Sequence, residues 1–122
     1  MTVPDNPTYI SAVRRLAESE KSWQTWVVDR ARLSRWDVYH TFDSRRSEAG
    51  WPDLALVRPP RFILAELKTE TGRLSPAQRQ WRRKLLRCPG IETYLWRPSD
   101  RDDITEILAE VTRWHPSAGS AR

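Results

Sequence analysis

The chain has 122 residues, 21 Lys and Arg against 16 Asp and Glu, a formal net charge of +5 and seven Trp. That is one domain with one modest core, too apolar and aromatic for a disordered tail, and its pI of about 10.0 favours a polyanionic partner. One cysteine, Cys88, and two histidines, His40 and His115, exclude an internal disulfide and a Cys- or His-rich zinc site. A reducing, cytoplasmic setting is expected, with no membrane contact, because the sequence shows neither a bilayer-length apolar run nor a signal-peptide pattern.

Residues 1–18 read as an N-terminal arm, in which "TYISAVRRLAE", Thr8 to Glu18, carries a short helical pattern. The folded domain is expected over residues 19–113, with a frayed tail over 114–122. In "SEKSWQTWVVDRARLSRW", Ser19 suits a helix N-cap, and Trp23, Trp26, Val27 and Ala31 recur at helical spacing. Glu20 falls on that same side and is expected to face the core. "WDVYHTF" alternates like a strand, with His40 expected to pack between Val38 and Phe42. "DSRRSEAG" is a polar, basic loop, "PDLALV" a second strand and "RPPR" a turn.

"FILAELK" is short and nearly all apolar, so it reads as a central strand. After the connector "TETGRL", the helix "SPAQRQWRRKLLR" opens with Ser75 as N-cap, Pro76 at the first position and Gln78 closing a capping box. Its apolar stripe is expected to be Trp81, Leu85 and Cys88. "IETYLWR" is a fourth strand, and "SDRDDITEILAEVTRW" a last helix capped by Ser99 or Asp100, with Ile104, Ile107, Leu108 and Val111 inward. The fold class is therefore α/β: helix, three-strand meander, helix, strand, helix, with a mixed central sheet flanked by helices. Trp51 and Trp114 fall outside these stripes and are left for a partner.

Three charges sit oddly at the ends of two core strands. Glu66 and Lys68 are two apart and share a face, and a turn over Arg58 to Arg61 pairs Asp53 roughly with Glu66. Two carboxylates side by side repel, so one must bind a proton unless a cation sits between them. Oxygen-only donors point to Mg²⁺ or Mn²⁺. Glu20 is a candidate third ligand from the first helix, with Glu18 as its competitor.

"PD" in one strand and "E-x-K" in the next resemble the PD-(D/E)XK nuclease superfamily, of the restriction-endonuclease-like fold. The longer run "GWPDLALV", "ELKTETGRLSPAQRQW", a leucine at 85 or 86 and a strand ending "WRP" resembles its virus-type replication-repair nuclease (VRR-NUC) domain, from about Ser19 to Leu108. The resemblance implies metal-dependent hydrolysis of DNA phosphodiesters. It implies that Asp53, Glu66 and the Leu67 backbone carbonyl are metal ligands, with Glu20 matching the first-helix acid. It implies that Lys68 positions water or stabilises charge on phosphate; Gln78 matches the glutamine after "SP", although the capping box already accounts for it. Stand-alone members resemble Holliday-junction resolvases, which implies a homodimer acting on branched DNA. A flap or general nuclease, acting as a monomer or with a partner, and a non-catalytic DNA-binding module remain the alternatives. Arg45 and Arg46, with Arg73, Arg79, Arg82 and Arg83 around the crossover helix, are the candidate phosphate contacts.

Overall fold

Ser19 begins the described domain. In the structure, a computed structural model describing residues 7–8, 18–41 and 48–112, its Oγ accepts the Ser22 N–H at 3.1 Å and caps α1 (Glu20–Leu33). Acidic Glu20 in the first turn and basic Arg30 and Arg32 in the last complement the helix dipole. β1 (Asp37–His40), β2 (Leu54–Arg58) and β3 (Arg61–Leu67) follow, then α2 (Pro76–Leu85), β4 (Glu92–Trp96), a 3₁₀ turn (Pro98–Asp100) and α3 (Arg101–Ala109).

The sheet runs β1-β2-β3-β4, an antiparallel meander with β4 added parallel to β3. A parallel neighbour requires a crossover, which α2 supplies. The expected α/β class and mixed sheet are both present. Among the described residues, no helix is long and apolar enough to cross a membrane.

Register assigns the two faces. Leu54 pairs with Ala65 and Leu56 with Ile63, so these four share one face. α1 and α3 cover it with Trp23, Val27, Ala31, Ile104, Ile107 and Leu108, all buried. Each fully buried Val, Leu or Ile there contributes about 1.5–3 kcal/mol. The indoles that span the layers are satisfied: Trp36 Nε1 donates to the Leu108 carbonyl at 2.8 Å, and Trp23 Nε1 to the Trp96 carbonyl at 3.2 Å. On the other face, Trp81 and Leu85 of α2 lie with Glu66 and Thr93 around a shared small cavity.

Several sequence expectations need correction. "RPPR" does turn, but Arg61 belongs to β3, 1% exposed, in a bidentate pair with Glu92 at 2.7 Å on both oxygens. Cys88 is exposed, because α2 ends at Leu85 and the chain leaves the sheet. Val111 is half exposed for the same reason, two residues past the end of α3. Asp100 occupies the N-cap position of α3, one of the two expected caps, but its side chain makes no capping bond there; its Oδ2 accepts the Arg97 N–H at 2.8 Å and closes the 3₁₀ turn. The expected helix core at residues 9–17, the tail over 114–122 with Trp114, and Phe42, Arg45 and Arg46 lie outside the described residues.

Candidate active site

β2 and β3 bring the two carboxylates together. Continuing the Leu54–Ala65 register by one step sets Asp53 opposite Glu66. Thr41 holds this end of the hairpin: its N–H donates to the Asp53 carbonyl at 2.9 Å and its Oγ1 to the Pro52 carbonyl at 2.7 Å. The Asp53 side chain reaches across β3, where Oδ2 accepts the Leu67 N–H at 2.8 Å. Glu66 is 6% exposed. Burial, a hydrogen bond with Asp53 and Asp53's charge push its pKa up to about 9; Lys68 and Arg82 pull the other way without cancelling this. The pair thus shares a proton in the metal-free protein, as two facing carboxylates must.

α2 closes the site through its first turn. The capping box is complete: Ser75 Oγ accepts the Gln78 N–H at 3.1 Å, and Gln78 Oε1 accepts the Ser75 N–H at 2.8 Å. The remaining Gln78 amide group is not idle, because Nε2 donates to Glu66 Oε1 at 3.1 Å. One side chain therefore caps a helix and orients a carboxylate. Gly50 lets the preceding loop lie against this turn: its φ is +87°, and a Cβ there would fall 2.4 Å from the Ala77 carbonyl carbon and 2.6 Å from Gln78 N. Trp51 stands edge-on to Trp81 at 4.9 Å, and Trp81 Nε1 donates to the Ala49 carbonyl at 3.0 Å. Trp51 thus helps fasten the Asp53 loop to α2, a packing role that the helical and strand stripes do not assign it.

The cleft so formed has a volume of about 210 Å³ and is lined by Glu20, Trp23, Gln24, Asp53, Glu66, Leu67, Lys68, Thr69 and Gln78. Glu20 is exposed at its rim and not on the core side of α1. As the first residue of the helix it leans toward the N-terminus, past the end of the sheet. Glu18 is committed elsewhere, paired with Arg101, whose guanidinium lies 5.1 Å from the ring centres of both Trp23 and Trp26. Gln24 and Thr69 were not singled out from sequence. Gln24 follows Glu20 by one helical turn and Thr69 follows Lys68, which are the signals that could have found them.

Arg82 is one of the candidate phosphate contacts from sequence. It is half-buried beside Glu66, lining the cavity behind that carboxylate, and burial holds its pKa below the ordinary value while Glu66 raises it. Arg73, Arg79 and Arg83 are exposed, with Arg79 Nη1 donating to the Leu74 carbonyl at 2.8 Å.

The donor set fits a hard divalent cation. All its candidate ligands are oxygens, and the Asp53–Glu66 pair is already forced to hold one positive charge, the proton. Among the described residues no three His, Cys, Asp or Glu gather closely enough to hold a metal, so Glu20 does not complete a three-carboxylate set. Mg²⁺ commonly takes one or two protein carboxylates and fills its shell with water and phosphate oxygens.

The shared proton predicts a pH dependence of stability. Glu66 ionises near its ordinary 4.5 in the unfolded chain and at about 9 in the fold. Folding therefore retains a proton across that window, and the stability it contributes is complete below pH 4.5 and lost as pH rises toward 9. In EDTA, raising pH from ~5.5 to ~8 should lower the thermal midpoint of the wild type more than that of Asp53→Asn, which has no like charge to relieve. Mg²⁺ should raise the wild-type midpoint more at the higher pH. Equal pH slopes for the two proteins would contradict the paired carboxyls.

With that geometry in place, the family model described as the VRR-NUC domain matches residues 11–99. No curated protein and no solved structure matches the chain.

Proposed function

We propose, from the premise that this chain belongs to the VRR-NUC domain family and so is of nuclease type, that its cleft hydrolyses DNA phosphodiesters with a divalent cation, Mg²⁺ or Mn²⁺. The observation that carries the reading is the Asp53–Glu66 carboxyl pair, held opposed at the cleft with Lys68 beside it. Asp53, Glu66 and the Leu67 carbonyl would hold the cation, which when bound supplies Lewis acidity toward phosphate and activates water at neutral pH.

The chain's own groups do the rest. Gln78 fixes the Glu66 carboxylate, and Leu67 N–H fixes Asp53, so the ligands are set before substrate arrives. The Lys68 ammonium adds a point charge where negative charge develops on phosphate, and orients the attacking water. Arg82 offsets the charge of Glu66 from behind, while exposed Arg73, Arg79 and Arg83, together with Arg45 and Arg46, steer the backbone of DNA. Glu20 stands at the rim, in a position to act on the cation through water.

The substrate we favour is branched DNA, a four-way junction cut by a two-fold homodimer, since two matched cuts on a symmetric junction need two matched sites. A cytoplasmic setting suits that role. Four-way junction, flap, splayed, duplex and single-stranded DNA should be incubated with protein in Mg²⁺, Mn²⁺ and EDTA, with the mass of free and DNA-bound protein measured in parallel. Junction cleavage in paired nicks, only with metal and by a dimer, is the expected outcome. Preferred flap cleavage by a monomer would favour the alternative nuclease, and metal-independent binding without cleavage of any form would make this a DNA-binding module.

A further inference from the structure

Lys68 leads into a four-residue turn, Thr69 to Gly72, closed by the Gly72 N–H on the Thr69 carbonyl at 3.2 Å, and that turn is held from outside by one side chain. Arg97, half-buried just after β4, places Nη1 2.6 Å from the Thr69 carbonyl, 2.7 Å from the Gly72 carbonyl and 3.3 Å from the Glu70 carbonyl. The two hydrogens of that nitrogen serve the two short contacts, gathering both ends of the loop onto one charged group. Glu70 Oε2 accepts the Ser99 N–H at 3.1 Å, a second tie between the loop and the 3₁₀ turn. The Lys68 N–H itself donates to the carbonyl of Trp96, the residue before Arg97, at 3.0 Å.

The loop in turn wraps Lys68. A Cβ added to Gly72 would lie 3.4 Å from Lys68 Cδ and 3.0 Å from Thr69 Oγ1, so the Gly72 backbone runs along the aliphatic stem of the lysine. A lysine stem has four rotatable bonds and loses substantial rotamer entropy when held in one geometry. Here its backbone is pinned by Trp96, its stem is flanked by Gly72, and Gly72 is pinned by Arg97.

We infer that Arg97 is a positioning residue for Lys68: by drawing the Thr69, Glu70 and Gly72 carbonyls together it presses the loop along the lysine stem and aims the ammonium into the cleft. The inference rests on the nuclease reading for its catalytic consequence, but not for its geometry. All three contacts come from one nitrogen, Nη1, so the change that tests them removes the donor altogether: Arg97→Met keeps much of the stem and offers the loop carbonyls no N–H.

The test separates the two. The chain has three lysines, Lys21, Lys68 and Lys84, so ¹³C-dimethylated protein gives few lysine resonances, and Lys68→Ala assigns the one of interest. In the wild type the Lys68 signal should be displaced from that of free lysine. In Arg97→Met, and independently in Gly72→Ala, it should move, while the Lys21 and Lys84 signals stay. Single-turnover cleavage at saturating DNA and Mg²⁺ should fall about 10- to 100-fold in Arg97→Met. The dissociation constant for DNA in Ca²⁺ and the Mg²⁺ half-saturation should stay within about twofold, which a general loss of structure would not allow. An unchanged Lys68 resonance in Arg97→Met overturns the positioning role whether or not the protein cleaves DNA. A wild type that cleaves nothing, with the resonance shifting as described, overturns the nuclease reading and leaves the positioning role standing.

Discussion

Lys68→Ala should lower DNA cleavage by about 10²- to 10³-fold, and Asp53→Asn by at least as much, with DNA binding nearly unchanged. The two losses have different causes. Lys68 supplies a charge that matters only as negative charge builds on phosphate, so its removal should depress the cleavage rate and leave metal affinity alone. Asp53 supplies a ligand oxygen, so its replacement should raise the Mg²⁺ requirement as well. Asp53→Asn has a further signature. The amide oxygen can still accept the Leu67 N–H now bound at 2.8 Å, and the Asp53 charge, which adds to burial in raising the Glu66 pKa, is gone. That variant should be as stable as the wild type at neutral pH without metal, or more so, while being catalytically inert. Single-turnover cleavage, DNA binding in Ca²⁺ and thermal melts in EDTA measure all three quantities. A fully active Lys68→Ala protein would falsify the assignment of the site.

The second large effect is on stability and lies at the other end of β3. Arg61 Nε and Nη2 each donate to Glu92 at 2.7 Å, and Nη1 donates to the Ile107 carbonyl at 2.6 Å and to the Glu110 carbonyl. The guanidinium lies 4.8 Å from the Trp36 ring centre, and Tyr94 Oη donates to Glu92 at 2.9 Å. One side chain thus joins β3, β4 and the end of α3. Arg61→Met keeps the stem but leaves Glu92 buried without its counter-charge and removes one donor from the Ile107 and Glu110 carbonyls. Breaking a buried pair from one side costs about 3–5 kcal/mol, a large share of the roughly 5–15 kcal/mol that holds a domain of this size. Urea denaturation should show that loss. Adding Glu92→Leu should restore part of it, because the uncompensated charge goes too; a single-variant loss under about 1 kcal/mol would show the pair to be of little consequence.

The difference between these two clusters explains what could be read from sequence. Asp53, Glu66 and Lys68 stood out because they interrupt apolar strands at period-2 spacing, and because the neighbouring Gly50, Ser75, Pro76 and Gln78 carry turn and capping chemistry of their own. Arg61 was passed over because it follows two prolines, where a charged turn residue is ordinary. Its partner Glu92 is 31 residues away, and nothing local marks the two as opening adjacent parallel strands. Only the pairing of Ile63 with Glu92 places them together. The half-burial of Arg82 was hidden for a related reason. Helical spacing put it in a basic run, and the angle at which α2 lies on the sheet turned it toward Glu66.

By itself the sequence determined the elements and their order, the hairpin that opposes Asp53 to Glu66, and the capped start of α2, because each follows from local rules of period, capping and turn residues acting over a few positions. Tertiary structure alone decided which charges are buried and against what. It turned Glu20 out to the rim and Arg82 in behind Glu66, gave Gln78 a second hydrogen bond, used Trp51 to fasten the loop, and set Arg97 on the three carbonyls beyond Lys68. Those are contacts between segments distant in the chain, whose geometry depends on how helices lie on a sheet, and no short window of residues encodes that angle.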